Sequence, residues 1–351
     1  MDRKDLLAMP KVELHCHLDG SLPLATMRRL ARQGGVDLPD SDSLLKELVT
    51  APPDCGSLLE YLTRFDLPLR CLQTAEALQL AAESLLDEAA RENLIYLEVR
   101  FAPLLHLETG LMPEAVVEAV LAGLTAARSR CGVEWGVLLC AMRHHTVEQN
   151  LSLVTLADRY RDAGVVGLDL VGDEAGYPPG LSGAVFHRAH DLALPFTIHA
   201  GECGDTESVR QALDLHPRRI GHGIALQQDP ALLERCVREG VGVEICPCSN
   251  LQTKAAVSWE TYPFPQFYRS GLLLSVNTDN RTVTGTSITA EFSALHREYA
   301  VGPADVRQLT LNALETAFTT EDVKEVLRQR VLQGWDTIDE SNNFWQIAQN
   351  G

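Results

Sequence analysis

The chain has 351 residues, 45% hydrophobic and 22% charged, with 30 basic against 48 acidic side chains and a formal net charge of −18. This is the composition of a soluble globular protein able to bury a sizeable core, and its negative average field works against a nucleic-acid partner. Met1 to Pro10 carries Asp2, Arg3, Lys4 and Asp5 rather than a signal-like apolar run, and no later run approaches the ~20 apolar residues of a membrane span, so a cytoplasmic protein with no membrane partner is expected.

The nine cysteines have no regular spacing, which fits reduced thiols better than a disulfide framework. Cys246 and Cys248 are two apart with no second close pair, so a structural cysteine-zinc site is not expected.

One α/β barrel of ~250 residues with insertions would absorb the length, and a single domain over 1–351 is expected. Eight short β-rich runs each precede a segment of helical spacing. They are Lys11 to Leu18, Leu94 to Pro103, Val133 to Met142, Val165 to Val171, Phe196 to Ala200, Arg219 to Ile224, Val241 to Cys246 and Leu272 to Asn277. Strands alternating with helices in that number point to a closed (β/α)8 TIM barrel rather than an open sheet. Residues 19–93, between the first two strands, are too many for one barrel helix. They predict extra inserted helices, one around Leu58 to Asp66, that form a lid or pocket wall. In Ala75 to Leu94, Leu78, Ala82, Leu85, Leu86 and Ala89 share one helical face, and another helix begins at Pro113 and stops before Gly132. Asp305 to Phe318 and Glu321 to Leu332 read as closing helices.

Active sites of such barrels gather where strands end, so polar residues there are the candidates. His15 and His17 are two apart on a strand, which turns both imidazoles to one face. Alone the pair is a weak signal and reads more readily as two hydrogen-bonded strand-end histidines. His199 ends the fifth strand in His-Ala-Gly-Glu with Glu202 behind it, His222 closes the sixth in Gly-His-Gly, and Asp279 follows the eighth. Three imidazoles and a carboxylate suit a borderline ion such as zinc.

With these landmarks the chain resembles the adenosine deaminase family of metal-dependent amidohydrolases. The likeness runs from His-Cys-His-Leu-Asp-Gly-Ser at His15 to Asn-Thr-Asp at Asp279. Between them lie Leu-Glu-Val-Arg-Phe-Ala-Pro (Leu97 to Pro103), Gly-Asp-Glu (Gly172 to Glu174), His-Ala-Gly-Glu, Gly-His-Gly and Glu-Ile-Cys-Pro-Cys-Ser-Asn (Glu244 to Asn250).

The resemblance implies that His15, His17, His199 and Asp279 hold one zinc ion per chain, which lowers the pKa of a water for attack on C6 of a purine nucleoside. It implies hydrolysis of adenosine, and of 2′-deoxyadenosine, to inosine and ammonia in purine salvage. Glu202 would protonate N1, and His222 would orient or deprotonate the water and stabilise the developing oxyanion. His17, Asp19, Gly172, Asn280, Leu62 and Phe65 would contact substrate: Asp19 the 5′-hydroxyl, the Gly172 N–H N3 of the base, and Leu62 and Phe65 as an apolar lid. Family members often have Asp where Asn280 stands; the carboxyl would donate to N7 when protonated, whereas an amide donates without proton uptake.

The nearest rival is a sibling deaminase of adenine or a modified adenine nucleoside; adenine deaminases tend to carry Glu at the Asp19 position and to lack Gly-Asp-Glu. A non-catalytic binding protein of the same fold would need neither the full ligand set nor Glu202. His106, His144, His145, His187, His190, His216 and His296 read as surface or packing residues, and Glu98, Arg100 and Asp169 as a buried ion network.

Overall fold

The strands are short, buried runs, and several carry polar site residues at or just past their carboxyl ends. The computed structural model describes residues 2–52 and 54–334; residues 335–351, the end of the expected domain, lie outside it. The strands are β1 (Lys11–His17), β2 (Leu94–Phe101), β3 (Glu134–Met142), β4 (Val165–Val171), β5 (Thr197–Ala200), β6 (Arg219–His222), β7 (Gly242–Ile245) and β8 (Leu273–Val276). They form two parallel sheets, β1-β2-β3-β4 and β5-β6-β7-β8, with helices between successive strands. The seams are held by isolated parallel bridges, Leu168 to Phe196 and Cys16 to Asp279. This is the expected (β/α)8 order, with single bridges instead of full ladders where the sheets meet.

The strands are buried almost throughout because helices cover one side and neighbouring side chains fill the other. Helix Ala75–Arg91 starts at Thr74, whose side chain accepts from the Ala77 N–H, and buries Leu78, Ala82, Leu85, Leu86 and Ala89 as its spacing predicts. Helix Pro113–Cys131 starts on its proline.

Two boundaries differ instructively from expectation. The helix expected over Leu58 to Asp66 is three pieces: Leu58–Leu62, a 3-10 turn Thr63–Phe65, and Asp66–Cys71. The tightened turn seats Tyr61, Leu62, Phe65 and Leu69 on one cavity wall, so burial overrides a straight helix. The sixth strand, expected to reach Ile224, stops at His222 because that residue turns to φ +62°. The closing helices run over Pro303–Thr316 and 321–334. No helix among the described residues is long and apolar enough to cross a membrane.

Candidate active site

The strands' carboxyl ends converge on a cavity of about 270 Å³. His17, Asp19, His199, Glu202, His222, Asp279 and Asn280 line its floor and one side. Leu58, Tyr61, Leu62 and Phe65, from the helices between β1 and β2, line the other. His15 sits behind, fully buried.

Period-two geometry on β1 turns His15 and His17 the same way, and backbone pairing brings Asp279 to them. The Asp279 N–H donates to the His15 carbonyl at 3.0 Å, and the His17 N–H donates to the Asp279 carbonyl at 2.8 Å. Asp279 adopts φ +60°, an unusual conformation for a non-glycine residue, held here by those two bonds. His15, His17, His199 and Asp279 thus offer one ligand atom each, all within 4.8 Å of one another. Among the described residues this is the one such group of three or more.

Partners on the far sides show which atoms face inward. His15 Nδ1 lies 2.9 Å from Glu244 Oε2 and His199 Nδ1 3.1 Å from Asp169, while Asp279 Oδ2 accepts from the Ser249 hydroxyl at 2.6 Å. Asp279 Oδ1 is left facing His15 Nε2 at 3.3 Å and His17 Nε2 at 3.4 Å. His15 Nε2 is buried without a hydrogen bond, a costly state for a polar atom that a coordinated cation removes. Outer nitrogens on carboxylates and inner nitrogens converging is the arrangement of a histidine metal site. The residues fit a metal ion.

Beside the cluster stand two further groups. Glu202 is held by its loop: the N–H groups of Gly201, Glu202 and Cys203 and the Ser208 hydroxyl all donate to the Glu174 carboxylate. Burial pushes the Glu202 carboxyl well above its usual range, and the Asp279 and Glu174 carboxylates push the same way, which favours its protonated form. Its Oε2 lies 3.6 Å from His222 Nε2.

His222 is pushed well below the usual imidazole range, first by burial and then by His199 and His15. Its tautomer follows from its neighbours. Asn250 Nδ2 contacts His222 Nδ1 at 2.8 Å, while Asn250 Oδ1 accepts from the Tyr262 hydroxyl at 3.0 Å and the Cys246 N–H at 3.3 Å. Those donors assign the amide oxygen, so the amide nitrogen donates to Nδ1 and the imidazole proton resides on Nε2, facing Glu202.

Of the residues read as substrate contacts, all line the cavity. Asp19 is buried, which raises its carboxyl to about 6. Gly172 has φ +106°, which a side chain would strain. Asn280 Nδ2 donates to the Tyr61 hydroxyl at 2.9 Å.

A model of the adenosine deaminase family matches residues 10–334. The chain is 45% identical over 335 residues to an adenosine deaminase of Enterococcus faecalis, covering 95% of this chain and 99% of that one. The chain belongs to the adenosine deaminase family. It is accordingly a deaminase enzyme. An adenine deaminase of Arthrobacter aurescens superimposes with a TM-score of 0.86 at 26% identity, over 94% of this chain and 99% of that one. An amidohydrolase of Burkholderia ambifaria, solved with bound Zn, shares the fold with a TM-score of 0.87 at 23% identity, over 97% and 94%.

Against this family background, sequence reading missed several residues. Glu244, noted only as part of a motif, bonds to His15, Arg100 and Arg219, all buried. Glu98, Arg100 and Asp169 do form the expected buried network, with Arg219 as its unforeseen member. Asn250, Glu174 and Tyr61 each reach the site through partners distant in sequence, which no local signal announces. His144, read as a surface or packing residue, is exposed but also lines the cavity. His106 is buried on the Leu72 carbonyl, and His190 bonds the Leu215 carbonyl, as packing residues do. All nine cysteines are free.

Proposed function

We propose that the protein is a zinc-dependent adenosine deaminase: water adds at C6 of the nucleoside and ammonia leaves, giving inosine. The observation that carries this is the pairing of a buried three-histidine, one-aspartate cluster with a buried carboxyl, Glu202, in one small cavity that favours its protonated form. His15, His17, His199 and Asp279 would hold the ion, and nitrogen-rich, four-ligand chemistry favours zinc. When bound, zinc supplies the acidity that makes water nucleophilic near neutral pH.

The chain's own residues do the rest. Glu202 gives its proton to N1, so that negative charge does not accumulate on the ring as C6 is attacked. His222, with its proton on Nε2, donates toward the attacking oxygen and stabilises charge there. A donor in this position orients the water and binds the developing oxyanion; the bonds around Asn250 support that role over proton removal by His222. Asp19 accepts from the 5′-hydroxyl, the Gly172 N–H binds N3, and Asn280 donates to N7. Leu62 and Phe65 cover the base, excluding bulk water.

Metal analysis of the purified protein with an ultraviolet assay for adenosine conversion tests the proposal. About one zinc per chain is expected, lost with activity in His17→Ala or Asp279→Ala. Full activity of a metal-free protein overturns it. Adenosine should be preferred to free adenine, since adenine offers Asp19 no ribose; the reverse preference would favour the sibling reading.

A further inference from the structure

The inserted helices meet the metal-bearing end of the barrel at one phenol. Tyr61, on helix Leu58–Leu62, is 1% exposed and lines the cavity. Its oxygen accepts from Asn280 Nδ2 at 2.9 Å and stands 2.6 Å from Thr284 Oγ1. Asn280 directly follows Asp279, and Thr284 lies on the π-helical turn Arg281–Gly285 that comes next. Such turns recur at functional sites. This one is also tied to the chain just before the Tyr61 helix: the Ala51 N–H donates to the Val283 carbonyl at 2.7 Å and the Thr50 hydroxyl to the Thr282 carbonyl at 2.9 Å.

Asn280 is boxed in on two sides. Its Oδ1 is buried, has no hydrogen-bond partner, and is turned against Gly20, where an added Cβ would stand 1.8 Å from it. The oxygen therefore occupies a slot that only glycine leaves open. Its nitrogen faces Tyr61. The Tyr61–Thr284 contact can run in either direction; with the phenol donating to Thr284 Oγ1 it accepts from the amide, as the Asn280 Nδ2 contact requires, and a flipped amide would then set oxygen against oxygen. An amide nitrogen carries two N–H groups; Tyr61 takes one and the second is free to serve a ligand in the cavity.

We propose that Tyr61 is a positioning residue that acts through Asn280: its hydroxyl, braced by Thr284, holds the amide nitrogen toward the purine so that the second N–H reaches N7. Discrimination at that ring position then depends on a side chain of the inserted helices rather than on Asn280 alone. The inference rests on the reading of Asn280 as the N7 donor.

The test measures dissociation constants of inosine and of 7-deazainosine by calorimetry for the zinc-loaded wild type, Tyr61→Phe, Thr284→Val and Asn280→Ala, with zinc content and Tm alongside. The wild type is expected to prefer inosine, and Asn280→Ala to lose that preference. Tyr61→Phe should lower the preference roughly fivefold to tenfold, the scale of one neutral hydrogen bond, with zinc content unchanged. Thr284→Val should lower it in the same direction and carries the test if Tyr61→Phe proves unstable. A preference left intact in both variants overturns the proposal, as does equal weakening of both ligands, the mark of simple packing. If wild type and Asn280→Ala alike show no preference, the N7 contact itself is wrong and the proposal falls with it. Adenosine turnover, measured separately, then tells whether the deaminase reading survives.

Discussion

Arg100 Nη2 and Glu244 Oε2 stand 2.9 Å apart, and the same carboxylate oxygen lies 2.9 Å from His15 Nδ1. The other arm of that guanidinium donates to Asp169 at 2.5 Å, and Asp169 in turn holds His199 Nδ1. One buried cation thus links the carboxylates that orient two of the proposed metal ligands. Burial alone would push Glu244 up, but the Arg100 and Arg219 guanidiniums hold it well below the usual carboxylate range, so it remains an acceptor for His15.

Glu244→Gln should therefore loosen the metal. The amide sets a donor of its own against the three existing ones, His15, Arg100 and Arg219, and loss of such an outer partner lowers metal affinity about 10–100-fold. Competition with a graded chelator measures it. Wild-type zinc affinity in a folded variant would assign Glu244 to strand packing alone.

In the proposed reaction Glu202 serves as an acid and not as a ligand. Glu202→Gln should retain zinc and bind inosine while kcat falls by about 10²–10⁴ or more. The pH profile follows from the sign of its shift. Activity needs the protonated form, so kcat/KM should decline as pH rises through the elevated Glu202 value. A profile that instead gains activity on that limb would move the acid elsewhere.

Asn250 sets the imidazole proton. In Asn250→Asp the carboxylate would accept from His222 Nδ1–H, reversing the tautomer of the neutral ring, so Nε2 no longer carries a proton to donate. Wrong-tautomer variants of other hydrolytic enzymes lose up to about 10⁴ in kcat, and a loss of that order is expected. Nitrogen-15 NMR of labelled histidine reads the tautomer directly. Equal activity with a switched tautomer would remove His222 from the chemistry.

How far the sequence reached is clearest at β1 and at Tyr61. His15 and His17 were legible because strand geometry converts a spacing of two into a shared face, and His199 and Asp279 because they sit where runs of strand residues end. The alternation of eight strand runs with helices likewise carried the barrel order. The pairings that orient the ligands were not legible. Tyr61 meets Asn280 across 219 residues and Arg100 meets Glu244 across 144, and nothing local to either partner encodes the contact. The broken helix at Thr63–Phe65 was hidden for the same reason, since its turn is set by the cavity it covers.

Stability should respond to pH through Glu291, which is outside the candidate metal-ligand group. The side chain is fully buried on helix Ile288–Tyr299, accepting from the Thr286 hydroxyl at 2.7 Å and the Cys248 N–H at 3.1 Å. Burial raises its carboxyl from 4.5 to about 7, more than these two bonds lower it. The folded state therefore binds the proton more tightly than the unfolded chain. Its contribution is fully present below about 4.5 and is lost as pH rises through about 7. The full change is on the order of 3 kcal/mol, from about 1.4 kcal/mol for each pKa unit. Glu291→Gln keeps an acceptor and removes the titration. Whatever offset the substitution brings at pH 5, the variant's Tm should gain on the wild type's between pH 5 and pH 8 at fixed zinc. Parallel Tm curves for the two proteins across that interval would mean that Glu291 stays ionised in the folded state, with its two donors outweighing burial.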